Sequence, residues 1–121
     1  MTIKKVLVVD DSATERHIIG EMLRKQGLEV VFAEDGEAGV IRAKLEMPDL
    51  IVMDVVMPGL NGFQATRAIT KDVATQHIPV ILCTTKGQET DKVWGIRQGA
   101  KDYVVKPVDA AELLSKIAAL G

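Results

Sequence analysis

Aromatic residues are almost missing from this chain: two Phe, one Tyr and one Trp account for 3% of it. A core must therefore be assembled from Val, Ile, Leu, Ala and Met, which dominate the 47% hydrophobic content. Cysteine is reduced to Cys83, which excludes an internal disulfide. It lies in the apolar run Val80-Ile81-Leu82-Cys83, where a small buried core residue is the expected role. No apolar run approaches the length of a bilayer span. The N-terminus lacks a secretion pattern, because only Val6 to Val9 separate its charged start from Asp10. Neither sign of charge dominates, with 15 Lys and Arg against 17 Asp and Glu and a formal net charge of −2. Phosphate backbones are bound through clustered Lys and Arg, so nucleic acid is not the expected partner. A soluble cytoplasmic protein without a membrane span is the default expectation.

What is present is a regular alternation. Strands are expected at residues 3–9, 29–33, 50–53, 80–83 and 102–105. Helices are expected at 13–26, from 35–36 to about 46, from 63 to about 71, at about 88–98 and at 109–120. Ser12 to Glu15 spells Ser-Ala-Thr-Glu, a capping-box pattern. Gly27 is placed to end that helix, Pro48 to close the next, and Asp109 to start the last. Ile18, Ile19, Met22 and Leu23 form one stripe on the first helix. The helix at 88–98 is weakened by Gly95 and β-branched residues, with Trp94 and Ile96 expected partly against the core. His17 and His77 share no ligand spacing with a thiol or carboxylate and read as surface residues. Five strand-then-helix units imply a parallel sheet with helices on both faces, a three-layer α/β/α architecture. At 121 residues, with no linker or low-complexity tract, the chain reads as one domain over 1–121.

Three acids stand where two of the apolar runs end. Val6-Leu7-Val8-Val9 runs into Asp10-Asp11, and Leu50-Ile51-Val52-Met53 runs into Asp54. If those strands are parallel neighbours, the acids meet at one sheet edge and repel by roughly 4 kcal/mol per pair at an effective dielectric near 20. Helix capping explains one such acid, but Ser12 already has the capping spacing. Ligands of open parallel sheets bind beyond the strand C-termini, where the strand order reverses. In the flavodoxin-like order 2-1-3-4-5 that point lies between strands one and three; the order is taken from that fold class, not from periodicity. A divalent cation would relieve the repulsion. Mg2+ prefers oxygen ligands and is typically held by one or two carboxylates plus a phosphate. Asp54 is then a plausible nucleophile toward a phosphoryl group. Lys106, its backbone kept extended by Pro107, could place a point charge on a phosphoryl oxygen. Thr84, after the fourth strand, could donate a hydroxyl hydrogen bond. Tyr103 has an equally good core explanation.

Together these residues resemble the receiver domain of two-component response regulators. The matching positions are Asp10-Asp11, Asp54 with Met57-Pro58-Gly59 behind it, Thr84, and Lys106-Pro107, over a match running from Lys5 to Leu120. The resemblance implies that Asp54 is the phospho-acceptor. It implies that Asp10, Asp11, Asp54 and the backbone carbonyl of Val56 hold Mg2+. Lys106 would contact the phosphoryl group, next to a peptide bond that is often cis in the family. Thr84 and Tyr103 would act as a switch pair. A sensor histidine kinase of the CheA-like kind would be the phosphodonor, and the protein would be a monomeric switch rather than an enzyme, catalysing only its own phosphorylation and slow dephosphorylation. The stretches 57–67 and 84–95 look like those of stand-alone, chemotaxis-like regulators of type IV pilus twitching motility. Two departures bear on the attacking water's path: Val56 is apolar and Lys86 is basic, where the flagellar chemotaxis regulator carries an amide and an acid.

Other readings of the same edge are weaker. A Mg2+-dependent phosphatase forming an aspartyl-phosphate usually places its two acids two residues apart, and position 12 is Ser12. A flavodoxin-like FMN carrier would want a Ser- and Thr-rich phosphate loop, whereas this loop opens with two acids. A non-signalling module with a decayed site would not retain all five chemical groups.

Overall fold

The structure is a computed structural model that describes residues 2–85 and 89–120; Lys86 and the expected helix start at Gln88 lie outside the described residues. The elements are β1 (Lys5–Val9), α1 (Ala13–Arg24), β2 (Glu29–Ala33), α2 (Gly36–Glu46), β3 (Leu50–Asp54), α3 (Gly62–Lys71), β4 (Val80–Thr84), α4 (Glu89–Arg97), β5 (Asp102–Val105) and α5 (Ala110–Leu120). The strands form a parallel sheet in the order β2-β1-β3-β4-β5.

The unbroken apolar runs follow from covering both faces of this sheet. Alternate residues of one strand enter different cores. Leu7 and Val9 of β1 join Ile51, Met53, Val80 and Leu82 beneath Ala43 of α2 and Ala65 and Ile69 of α3. Val6 and Val8 join Val52, Ile81, Cys83 and Val104 beneath Ile19 and Leu23 of α1 and Leu113 and Ile117 of α5. Ile18 does not follow its expected stripe. It is 43% exposed, because the buried arc of α1 is narrow and centres on Ile19, Gly20 and Leu23. Trp94 and Ile96 each leave about half of their surface in water, more than a core position implies.

Local chemistry sets the ends of the elements. α1 ends at Arg24, two residues before the expected end, and Gly27 follows at φ +80, in the left-handed region that glycine tolerates. The Ser12 side chain accepts from the Glu15 amide at 3.3 Å, but the Ser12 amide donates to Asp10 Oδ1 at 2.9 Å. Asp10 thus supplies the half of the capping box expected from Glu15. A complete box forms instead at α3, between Asn61 and Gln64 at 2.9 and 3.0 Å. It starts that helix at Gly62, one residue before the expected position. β3 and β4 each run one residue past the apolar stretch. Asp54 therefore stays in register with Cys83, and Thr84 with Val105.

Gly62 lets α3 sit directly on the end of β3. A Cβ there would lie 2.1 Å from the Asp54 carbonyl oxygen and 2.8 Å from the Val55 Cα. Both obstacles are backbone and cannot swing away. Gly62→Ala is expected to cost about 2–3 kcal/mol, as overpacking against a rigid neighbour does. Chemical denaturation at equal protein concentration would read this as a lower midpoint with an unchanged slope.

Candidate functional site

The adjacency of β1 and β3 brings the acids together. One carboxylate oxygen from each of Asp10, Asp11 and Asp54 lies within 4.8 Å of the other two. Asp10 and Asp54 are 1% and 4% exposed, while Asp11 faces solvent. Three contacts within the β1–α1 and β2 segments hold Asp10. Its amide donates to the Ala33 carbonyl at 3.2 Å, its Oδ1 accepts from the Ser12 amide, and its carbonyl accepts from Arg16 Nη1 at 2.6 Å. Sequence reasoning missed Arg16. Its only sequence signal is its place one turn inside the helix that follows the acids.

Lys106 enters from the end of β5. Its Nζ lies 2.9 Å from Asp10 Oδ2 and 3.0 Å from Asp54 Oδ1, so one ammonium is shared by the two buried acids. Its amide donates to the Thr84 carbonyl at 2.7 Å, which ties the ends of β4 and β5 together. The Lys106–Pro107 peptide bond is cis.

Among the described residues the charges do not balance, with one ammonium set against three carboxylates. Burial is the main force pushing the Asp54 carboxyl up to about 6. The Lys106 hydrogen bond opposes this shift, and the Asp10 charge adds to it. Burial also works against the Lys106 ammonium, but its hydrogen bonds to Asp10 and Asp54 outweigh that and raise its pKa above the usual lysine value. Such a pocket of hard oxygen donors, short of positive charge, suits a small divalent cation.

The other expected positions are arranged around this cluster. Thr84 is 4% exposed at the end of β4. Tyr103 lies two residue pairs further down the ladder, opposite Leu82, and strand alternation puts it on the same sheet face as Thr84. Its ring is half-buried against the α2–α3 core. The ring also carries two cations, with Lys92 Nζ of α4 and Lys116 Nζ of α5 each 4.6 Å from its centroid. Lys116 further donates to the Tyr103 carbonyl and pairs with Asp102 at 3.1 Å. Val56 follows the acid by two residues with its side chain 68% exposed. The chain is pinned beside it, where the Val55 amide donates to the Cys83 carbonyl and the Val55 carbonyl accepts from Gly62. Cys83, paired with Asp54 in register, is buried with its thiol pushed up to about 12 by burial, which suits a core residue. His17 and His77 are exposed.

Two substitutions should move stability in opposite directions. The folded-state pKa of Asp54 lies above its unfolded value of 3.8. The native state therefore holds this proton more tightly, and the group's contribution falls as pH rises from about 4 to about 6. Without metal at pH 7.5, Asp54→Asn should stabilise the protein by about 1–2 kcal/mol, with the gain shrinking toward pH 4. Lys106→Met leaves two buried carboxylates facing each other and should cost about 3 kcal/mol. Thermal melts of both variants from pH 4 to 8 in a chelator would check the two signs.

Comparison with known proteins agrees with this arrangement. Residues 6–118 match the response regulator receiver domain family. The chain is 59% identical over 116 residues to protein PilH of Pseudomonas aeruginosa, covering 96% of each chain. Of several longer curated relatives it spans about half the length. Among solved structures, chemotaxis protein CheY4 of Vibrio cholerae is similar, with 31% identity, a TM-score of 0.92 and coverage of 99% of this chain and 100% of that one. The receiver domain of sensor histidine kinase PA1611 from P. aeruginosa, which has a magnesium ion coordinated in its active site cleft, is 30% identical with a TM-score of 0.88, covering 98% and 97% of the two chains. With its 2-1-3-4-5 parallel sheet and the acids gathered at its switch point, the chain belongs to the response regulator receiver domain family.

Proposed function

We propose that residues 1–121 work as one receiver unit in which Asp54 accepts a phosphoryl group from a sensor histidine kinase. The observation that carries this reading is the buried Asp54 carboxylate, presented at a strand end and bonded to a lysine inside an acidic cluster. Asp10, Asp11 and Asp54 would hold Mg2+, with the Val56 carbonyl as a further ligand, and the bound ion would neutralise the acids and the equatorial oxygens of an arriving phosphoryl group. The donor set fits such an ion, and the likeness to the magnesium-bearing receiver of PA1611 supports it.

In transfer, an Asp54 oxygen bonds to phosphorus as the phosphorus–nitrogen bond of a phosphohistidine breaks, and the electron pair leaves with the imidazole. Lys106 then exchanges its contact with Asp54 for one with a phosphoryl oxygen. Its bond to Asp10 keeps the ammonium on the pocket throughout. The product carries about −1.5 to −2 charge at one point. The Thr84 hydroxyl moves toward that charge, and the Tyr103 ring turns inward behind it. Such a switch biases a bistable element rather than turning over a substrate. Hydrolysis of the acyl phosphate passes beside the apolar Val56, so the phosphoryl lifetime is this protein's own. The likeness to PilH and the stretches 57–67 and 84–95 support a role in chemotaxis-like control of type IV pilus twitching motility, with a CheA-like kinase as donor. Among the described residues no helix is long and apolar enough to cross a membrane.

Incubation with acetyl phosphate and Mg2+ should add the mass of one phosphoryl group to the intact protein. The adduct should be absent from Asp54→Ala and from wild type in a chelator. An adduct that persists in Asp54→Ala would place the acceptor elsewhere.

A further inference from the structure

A basic cavity adjoins the acid pocket. It has a volume of about 390 Å3 and opens at the edge formed by α1, β2 and α2. Arg16 and Arg24 of α1 and Arg42 of α2 line it, together with His17, the Phe32 ring and one acid, Glu34. The chain has five arginines and ten lysines. Three of the arginines reach this one cavity, and among the described residues no lysine lines it. Such a selection is not expected of a merely solvated face on a chain of net charge −2. It matches what a guanidinium offers over an ammonium, a planar fork that grips phosphate through two parallel hydrogen bonds.

The three arginines are positioned but not used up. Arg24 lies over the Phe32 ring at 5.3 Å, which orients its plane. Arg24 and Arg42 each pair through Nη1 with one acid of their own helix, Glu21 at 3.4 Å and Glu46 at 3.2 Å. These pairs are partly exposed and contribute little, so they yield readily to a stronger anion. Arg16 spends Nη1 on the Asp10 carbonyl and makes no ion pair among the described residues. A guanidinium has five N–H donors, so each of the three keeps several. Glu34 opposes an anion, and with Glu21 and Glu46 it offsets the three guanidinium charges, so the anion has to displace the two exposed pairs to bind. The volume lies near the lower end of the roughly 300–1,000 Å3 typical of ligand pockets, enough for a phosphate or diphosphate group with little attached.

We propose that this cavity is a binding site for a small phosphate-bearing anion, separate from the phosphoryl group proposed on Asp54. The probe is inorganic pyrophosphate, titrated into the uniformly 15N-labelled full chain without Mg2+. Citrate and sodium chloride at matched ionic strength serve as comparison arms. Pyrophosphate should give saturable amide shifts centred on Ala13 to Arg24, Phe32, Glu34 and Arg42. Citrate should bind at least tenfold more weakly, and chloride should show no saturation. Arg24→Gln combined with Arg42→Gln should weaken pyrophosphate at least tenfold. Neither residue touches the acid pocket, so labelling by acetyl phosphate should be unchanged. The pair Arg24→Lys with Arg42→Lys, which keeps charge and helix propensity, should also weaken binding because the planar fork is lost. Unsaturable shifts scattered over the surface would overturn the proposal. So would citrate binding as tightly as pyrophosphate, or variants that bind like wild type. Failure of Asp54 labelling would bear only on the phospho-acceptor reading, since the amide shifts need no covalent step.

Discussion

The shared ammonium of Lys106 is the contact on which the rest of this architecture depends. Two carboxylates are buried almost completely at the end of a parallel sheet, and among the described residues a single cation lies within hydrogen-bond reach of both. Without it, desolvation and mutual repulsion would favour protonation of an acid or opening of the strand ends. Lys106 and Asp10 are 96 residues apart in sequence. Only the complete winding of the sheet, from β1 beside one edge strand to β5 at the opposite edge, returns the lysine to the acid. The fold and the pocket therefore stand or fall together.

The pocket is also short of positive charge by design of its residues. Among the described residues one ammonium faces three carboxylates, and Asp54 answers by holding its proton up to about 6. A site in this condition has a strong electrostatic reason to take up a cation, and through the cation a phosphoryl group. The same imbalance connects the site to its surroundings. The Lys106 amide is bonded to the Thr84 carbonyl, and two residue pairs below lies Tyr103, its ring flanked by lysines of α4 and α5. A change in charge at Asp54 thus adjoins a short chain of contacts leading to two helices on the far edge of the sheet.

Much of this was legible in the order of the residues. The β1, β3 and β4 runs read as buried strands because each is apolar at consecutive positions, which only a sheet covered on both faces requires. The acids stood out because they interrupt those runs at their ends. Other features were hidden because they depend on competition between partners. Ser12 to Glu15 has a capping-box spelling, yet the Ser12 amide goes to Asp10, which is nearer once the loop is folded. Asn61 and Gln64 form a complete box that starts its helix one residue before the expected position, hidden because the Gly62 between them suggests a turn. Ile18 belongs to an apolar stripe by spacing but not by burial, since the width of the covered arc is set by the neighbouring helix and sheet. Tyr103 had a core explanation and a switch explanation, and nothing local foretells two lysines over its ring.

Sequence alone determined the alternation of strands and helices, the two-sided burial of the sheet and the chemical identity of the groups at the strand ends. These follow from hydrophobic periodicity and from the kinds of side chain that interrupt it, both of which act within a few residues. Tertiary structure decided which ends meet, which acids are buried, and that one lysine would serve two of them. It also gathered three arginines from two helices into one cavity. Distances between groups far apart in the chain, and the desolvation that makes their charges matter, exist only after the chain has closed on itself.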